Sequence, residues 1–121
     1  MIEKMEISGV HMKVEPKLKK YVTKKMGAMD KYMPRHARES AHLEVKLKEA
    51  KIKQKKEYTC EVILFLPHDT IRIAETTMNI FAAVDITETK LKNQIRKYKE
   101  THARKRIPGR IIAKFRSRRS V

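Results

Sequence analysis

Residues 41–48 read A-H-L-E-V-K-L-K, and residues 58–66 read Y-T-C-E-V-I-L-F-L. Apolar and polar side chains alternate in the first stretch, which is the period-2 pattern of a strand with one face on a core and one in water. The second stretch is apolar on both faces, and we predict that Ile63 and Phe65 point away from the core. Two such strands in succession predict an antiparallel sheet at the centre of the fold.

The chain on both sides of these residues extends the sheet. Residues 3–8 alternate in the same way and predict a first strand. A turn at 67–69 returns the chain as a fourth strand over 70–75. The charged run at 49–57, E-A-K-I-K-Q-K-K-E, has no clear periodicity, so we predict an exposed hairpin loop there.

A first helix is predicted between the first two strands. From Val14 to Met33 the apolar residues recur at spacings of three, four and seven, which places them along one side of a helix. Pro16 suits the first turn, and Pro34 ends the helix because the residue before a proline is steered out of helical backbone angles. Gly27 lies inside and costs about 1 kcal/mol relative to Ala.

A second helix is predicted after Thr76, with Thr77 or Asn79 as its N-cap. Its apolar stripe consists of Phe81, Val84, Leu91, Ile95 and Tyr98. Glu88 falls inside that stripe, where a carboxylate is costly unless it is paired.

The element order β-α-β-β-β-α predicts an α+β, two-layer domain in which both helices pack on one face of a four-stranded sheet. If the first two strands are neighbours, the helical crossover between them makes them parallel. We assign residues 1–100 to this domain. Residues 101–121 form a predicted basic C-terminal tail, because Pro108 and Gly109 interrupt any continuing helix.

The charge balance indicates a polyanionic partner. Lys and Arg number 30 and Asp and Glu 14 among 121 residues, which leaves a net charge of +16. The excess is concentrated at 13–33, with seven Lys against two acidic residues, and at 101–121, with eight basic residues and no acidic one. A concentrated positive field favours nucleic acid, the commonest polyanion of a cytosol.

Several classes of protein are disfavoured by composition. A single cysteine, Cys60, leaves no internal disulfide and no Cys-built zinc site. The five histidines show no metal-binding spacing, so we predict no metal and no cofactor. His68 and Asp69 could imitate an acid-base pair, but turn formation explains them, and we predict no enzyme. No apolar run reaches the roughly 18 residues of a membrane span, and we expect a cytoplasmic protein without membrane contact.

We predict that the two helices offer a shared cationic surface to RNA or DNA, extended by the tail. Lysine-rich helix faces are often only solvated surface, and for either helix alone that alternative stays open. The residues that we predict to contact RNA are Lys20, Lys24, Lys25, Lys31, Lys90, Arg96, Lys97, Lys99, Arg104, Lys105 and Arg106.

Several short motifs resemble one family. Residues 79–85, N-I-F-A-A-V-D, with 90–99, K-L-K-N-Q-I-R-K-Y-K, look like the second helix of the ribosome hibernation-promoting factor family, which includes the ribosome-associated inhibitors. Residues 14–33 resemble the first helix of that family. The strand motifs E-I-S-G-V (6–10) and Y-T-C-E-V (58–62) agree in place and order.

This resemblance, over about residues 3–100, implies a stress-induced or stationary-phase factor that binds the small ribosomal subunit. In that family the paired helices lie on ribosomal RNA in the channel used by messenger and transfer RNA, which blocks translation and preserves idle ribosomes. The positions here that match basic positions of the family are Lys24, Lys25, Lys31, Lys90, Arg96, Lys97 and Lys99.

The chain also departs from the family pattern. Asn79 stands where the family usually has an acidic cap, and Glu88 replaces a usual aliphatic residue. Without the additional C-terminal domain of long family members, the chain resembles the short form, with a basic tail. We expect it to be monomeric away from the ribosome.

Three other interpretations remain open from sequence. A generic double-stranded RNA-binding module is the main alternative, because its α-β-β-β-α order nests inside the one predicted here. A constitutive ribosomal protein would share the same charge. A self-associating protein would use Ile63 and Phe65 on the outer face of the sheet.

Overall fold

The computed structural model describes residues 2–104, with side chains as far as residue 101. The sheet order is β1-β2-β3-β4, with β1 parallel to β2 and the other two pairs antiparallel. The elements are β1 (Lys4–Val10), α1 (Pro16–Gly27), a 3-10 helix (Ala28–Tyr32), α2 (Arg35–Arg38), β2 (His42–Ile52), β3 (Lys55–Leu66), β4 (Asp69–Thr77) and α3 (Ile80–Arg104). The predicted α+β fold is confirmed, and the short helix α2 is an addition to it.

A single core lies between the sheet and the two long helices. Its fully buried members come from β2, β3, α1 and α3, and include Leu43, Val45, Leu47, Val62, Leu64, Val22, Met26, Leu91 and Ile95. Burying each such side chain stabilises the fold by about 1.5–3 kcal/mol. Because side chains of both helices belong to this one cluster, both helices cover the same face of the sheet.

The prediction of a loop over 49–57 was wrong, because β2 and β3 remain paired almost to the tip of their hairpin. Ile52 pairs with Lys55, which leaves only Lys53 and Gln54 in the turn. These two residues have φ values of 49° and 67°, as the central pair of a type I′ turn requires. The ladder was hidden in the sequence because both faces of this extension are exposed and therefore carry no apolar alternation.

The first predicted helix is divided into α1 and the 3-10 helix, and the change occurs at Gly27. The Gly27 carbonyl accepts a hydrogen bond of 3.0 Å from the Ile2 amide, a residue far away in sequence. After this point the backbone tightens into 3-10 geometry, and the Met33 amide donates to the Asp30 carbonyl. Pro34 follows, as predicted.

β1 extends two residues beyond its predicted end. Gly9 is inside the strand, paired with Leu47 of β2. A Cβ atom at Gly9 would lie 2.3 Å from the Met12 carbonyl oxygen, so the chain can fold back at this point only over a residue without a side chain.

The start of α3 confirms Asn79 as the N-cap. Its Oδ1 accepts a hydrogen bond of 2.8 Å from the Phe81 amide, and the Thr77 hydroxyl accepts one of 3.1 Å from the Asn79 amide. From there α3 continues for 25 residues to Arg104. At a rise of 1.5 Å per residue it is about 37 Å long, so it carries its basic residues along the whole layer.

Candidate nucleic-acid interface

Two helical segments lie side by side on the sheet and run in the same direction. The first is α1 with the 3-10 helix that follows it, and the second is α3. Near the start of α3, the Tyr21 ring of α1 packs edge to face on Phe81, with ring centroids 5.1 Å apart. Further along both segments, Tyr32 of the 3-10 helix lies beside Lys92 and Arg96 of α3. We call this line of contact the helix seam, and it brings the C-terminal halves of both segments to the same end of the molecule.

The first half of the helix seam is occupied by ion pairs. The Tyr21 hydroxyl donates a short hydrogen bond to an Asp85 carboxylate oxygen. Lys25 Nζ lies 3.9 Å from Asp85 and 3.7 Å from Glu88. We call Tyr21, Lys25, Asp85 and Glu88 the ion-paired half.

These contacts give Glu88 the partner that its place in the apolar stripe demands. Its carboxylate is largely shielded, with 24% of the side chain exposed, and the Lys25 ammonium compensates its charge. The hydrogen bond to Asp85, followed by burial, raises the pKa of Tyr21 to about 12. The ion-paired half therefore serves to hold α1 against α3.

The second half of the helix seam is a cluster of cations around one aromatic ring. The Lys31, Lys92 and Arg96 charged groups lie 5.2, 5.0 and 5.5 Å from the centre of the Tyr32 ring. Each distance is within the range of a cation–π contact. We call Lys31, Tyr32, Lys92 and Arg96 the cationic half.

The cationic half lacks the acidic partners of the ion-paired half. Among the side chains that the structure describes, no salt bridge to a carboxylate involves Lys31, Lys92 or Arg96. Although desolvation raises the pKa of Tyr32, the hydrogen bond and positive charges of Lys92 and Lys31 lower it by more. The local field is therefore strongly positive, which suits an anionic group such as a phosphate.

The outward side of α1 adds further positive charge. Lys20 and Lys24 are exposed, as predicted, and they line a shallow open groove together with Lys19, Lys31 and Asp30. The groove floor includes Thr23 and Ala28, so the lysine stems border an apolar strip. This face is continuous with the cationic half through Lys31.

The basic residues of α3 divide between two sides of the helix. Lys92, Arg96 and Lys99 recur at spacings of four and three, which puts Lys99 on the side that meets the helix seam. Lys90 and Lys97 instead line a groove between α3 and the edge strand β4. The Lys90 ammonium donates a hydrogen bond there to the Glu75 carboxylate, with which it forms an ion pair.

The structure thus brings together part of the predicted surface. Lys31, Arg96 and Lys99 lie on or beside the helix seam, and Lys20 and Lys24 lie on the outward side of α1. Lys25 lies in the helix seam but is in an ion pair, and Lys90 is in an ion pair with β4. Arg104 is the last described residue, in α3, and its side chain is not described. Lys105 and Arg106 lie outside the described residues.

Two members of the cationic half were not among the predicted contacts. Lys92 is one of several lysines on the polar side of α3, and its place beside Tyr32 depends on how the helices align. Tyr32 falls on the apolar side of residues 14–33, a position that by itself favours core packing. It is half-buried, whereas Tyr98, on the apolar stripe of α3, is buried and donates a hydrogen bond of 2.8 Å to the Pro67 carbonyl.

The turn after β3 accounts for the pair that resembled a catalytic dyad. His68 takes a left-handed conformation with φ of 66°, and the Asp69 carboxylate accepts a hydrogen bond of 2.8 Å from the Thr70 amide. Both residues thus have a role in turning the chain. Among the described residues, no helix is long and apolar enough to cross a membrane.

A family model matches residues 5–103, a range that includes nearly all of the four strands and the helices of the domain. The family is described as Sigma 54 modulation protein / S30EA ribosomal protein. The chain belongs to this family. The family indicated by the helix and strand motifs is therefore confirmed, and the match extends over the whole domain.

Two curated relatives of this chain share one name. A Ribosome hibernation promotion factor of Lactococcus lactis subsp. cremoris (strain MG1363) is 32% identical over 105 residues, and one of Staphylococcus aureus (strain COL) is 28% identical over 102 residues. Each alignment covers 84% of this chain but only 52% and 51% of the relatives. The chain spans about half the length of these S30EA relatives.

Solved structures share the fold. The N-terminal domain of Thermus thermophilus Protein Y matches 77% of this chain and 94% of its own, with a TM-score of 0.59 and 20% identity. A ribosomal subunit interface protein from Coxiella burnetii matches 80% of this chain and 98% of its own, with a TM-score of 0.64 and 20% identity. Both similarities support the S30EA fold.

Proposed function

We propose that this chain is a ribosome-binding translation inhibitor of the hibernation type. In this proposal it occupies the messenger and transfer RNA channel of the small subunit, with the helix seam against ribosomal RNA. Occupancy excludes messenger RNA and preserves idle ribosomes under stress. The names of the relatives support the ribosome as partner, and binding alone, without catalysis, is enough to block the channel.

The observation that carries the proposal is the convergence of Lys31, Lys92 and Arg96 on Tyr32. Three like charges on one ring repel each other, and no salt bridge to a carboxylate compensates them among the described side chains. A phosphate at this point would compensate them directly and release counterions, which favours binding. Arg96 can also form two parallel hydrogen bonds to one phosphate.

The proposed contact surface extends outwards from the cationic half. It includes Lys20 and Lys24 along the groove of α1, Lys99 further along α3, and Lys97 toward the edge of the sheet. Arg104, Lys105 and Arg106 continue it beyond the domain. In this proposal Lys25 and Lys90 contribute little, because their charges are already compensated by carboxylates.

The direct test is co-sedimentation of the protein with purified small subunits across a salt series. The triple variant Lys31→Glu, Lys92→Glu, Arg96→Glu should lose at least about 100-fold in affinity, because attraction is replaced by repulsion at three positions. Neutral Ala replacements at the same positions should lower the salt dependence, the slope of log affinity on log salt, by about two to three.

A matched control reverses the same number of charges on the hairpin between β2 and β3. Lys51, Lys53 and Lys55 are exposed there, far from the helix seam, and their replacement by Glu should leave most of the affinity intact. Equal losses in both triple variants would contradict a specific surface. Tight binding to any free RNA duplex, without competition from messenger RNA, would instead favour a generic double-stranded RNA-binding module.

A further inference from the structure

The outer face of the sheet, opposite the helices, holds a cluster of metal-ligating side chains. Glu6 of β1 and His42 and Glu44 of β2 place their ligating atoms within 4.8 Å of one another. The parallel pairing of β1 with β2 sets Glu6 directly opposite Glu44, and His42 is two residues before Glu44 on the same face. Glu6 is thus brought to two residues of β2 that are distant from it in sequence.

One nitrogen of His42, Nε2, lacks a hydrogen-bond partner among the described residues, although 37% of the His42 side chain is exposed. The Nε2 atom is buried, and within the described part of the chain it has no hydrogen bond. Its ring packs edge to face on Phe65 at 5.6 Å, and Nε2 lies 4.0 Å from the Glu6 carboxylate. An unsatisfied buried nitrogen is unusual in a folded protein, because it loses its hydrogen bond to water without replacement.

Neither carboxylate has a Lys or Arg partner among the described side chains. Like charges placed directly opposite on neighbouring strands destabilise a sheet. In a chain with 30 basic residues, no Lys or Arg forms a salt bridge with Glu6 or Glu44 among the described side chains. A divalent cation between the three groups would compensate both carboxylates and satisfy the imidazole.

We propose that Glu6, His42 and Glu44 form a binding site for a divalent transition metal, with Zn²⁺ as the best match. One imidazole nitrogen with two carboxylate oxygens is a donor set that suits Zn²⁺, and it leaves a fourth position for water. Zn²⁺ bonds of about 2.1 Å place tetrahedral ligands about 3.4 Å apart, so ligating atoms that are up to 4.8 Å apart must approach each other by as much as about 1.4 Å. Glu6 is 71% exposed and free to make that adjustment.

The consequence is a cross-link between the edge strand β1 and its single neighbour β2. Glu6 is the only one of the three ligands on β1, so the ion would join the two strands that the long crossover through α1 separates in sequence. Binding to the folded state alone stabilises it by mass action. The site lies on the opposite face from the helix seam and is independent of RNA binding.

The test is isothermal titration of the full chain with zinc chloride, together with thermal unfolding in its presence. We expect one Zn²⁺ per chain and a rise in the unfolding midpoint. His42→Ala should weaken the affinity by more than about tenfold, the loss seen even for residues that only support metal ligands. Mg²⁺ should give no comparable effect, because it prefers all-oxygen sites.

Two further variants keep the test decisive. The double variant Glu6→Gln, Glu44→Gln removes two ligands while retaining the shape of the side chains. It should also weaken Zn²⁺ binding by more than tenfold, and it tests the site even if His42→Ala unfolds. His36→Ala, on the exposed surface of α2, should bind Zn²⁺ normally. Absence of Zn²⁺ binding, binding unchanged in the ligand variants, or equal binding of Mg²⁺ would overturn the proposal.

Discussion

The two halves of the helix seam are built from similar residues but have opposite electrostatic character. In each half a tyrosine of the first helical segment lies against α3 with a lysine nearby. In the ion-paired half α3 contributes Asp85 and Glu88, and in the cationic half it contributes Lys92 and Arg96. The first half stabilises the packing of two helices, whereas the cations of the second have no salt bridge to a carboxylate among the described side chains.

The difference bears on the proposed contact surface, because the basic residues beside the helix seam differ in whether a carboxylate already compensates their charge. Lys25 and Lys92 are both lysines on seam-facing positions, but only Lys92 lacks a carboxylate partner among the described side chains. A cation that already has a partner must give it up before it can bind a phosphate, and the exchange yields little free energy. The following predictions separate the two halves experimentally.

The largest effect is expected from removal of the aromatic ring in each half. Tyr32→Ala and Tyr21→Ala each remove a half-buried ring packed on the core and should each destabilise the fold by about 2–3 kcal/mol. Only Tyr32→Ala should also weaken ribosome binding, by about tenfold, because the cation–π contacts that position three charges are lost. Urea unfolding and co-sedimentation measure the two effects, and an equal loss of affinity in Tyr21→Ala would abolish the distinction.

A gain of binding is expected when the ion-paired half is made to resemble the cationic half. Asp85→Asn with Glu88→Gln frees Lys25, so ribosome affinity should rise severalfold and the salt slope by about one. The control, Glu49→Gln with Glu61→Gln, makes the same change of net charge beside Lys56 and Lys48 on the sheet. If the control gains as much affinity, net charge rather than position controls binding.

A smaller effect is expected from single lysines of α3. Lys92→Ala should weaken ribosome binding about fivefold, because it removes one phosphate contact. Lys90→Ala should change affinity less than twofold, because the Lys90 ammonium is already bonded to Glu75. The same salt-series sedimentation measures both, and a reversed order would place the RNA on the side of α3 that faces β4.

The smallest effect concerns the two tyrosine hydroxyls, whose pKa values are shifted in opposite directions. The pKa of Tyr21 is raised to about 12, so its contribution to stability is present below pH 10 and is lost as the pH rises from 10 to 12. The pKa of Tyr32 is lowered, so its contribution grows as the pH rises toward 10. A titration followed by phenolate absorbance measures this difference. Tyr21→Phe should remove an ionisation at high pH, and Tyr32→Phe should remove one at lower pH.

Most of the fold follows from local patterns. Alternation over 41–48 and 58–66 predicted the two central strands, and helical spacing predicted α1 and α3, because burial of one face imposes these periods on sequence. The exceptions are places where this signal is absent. Both faces of the hairpin tip at Lys53 and Gln54 are exposed to solvent. The first helix is divided at Gly27, where the carbonyl accepts a hydrogen bond from the distant Ile2 amide.

The candidate site was predictable only in outline. Charge and helical spacing placed Lys31 and Arg96 in a basic surface, but the same reasoning included Lys25 and Lys90. Their partners Glu88 and Glu75 lie on α3 and on β4, at separations that no motif connects. Tyr32 could not be distinguished from a core residue such as Tyr98, because both fall on apolar stripes of their helices.

The amino-acid sequence by itself determined the four strands, the two main helical regions, the excess of positive charge and the family. These properties depend on composition and on neighbours along the chain. Only the tertiary structure decided which charges meet, because this depends on the alignment of α1 with α3 and on the register of β1 with β2. The first alignment leaves Lys31, Lys92 and Arg96 around Tyr32, and the second sets Glu6 opposite Glu44.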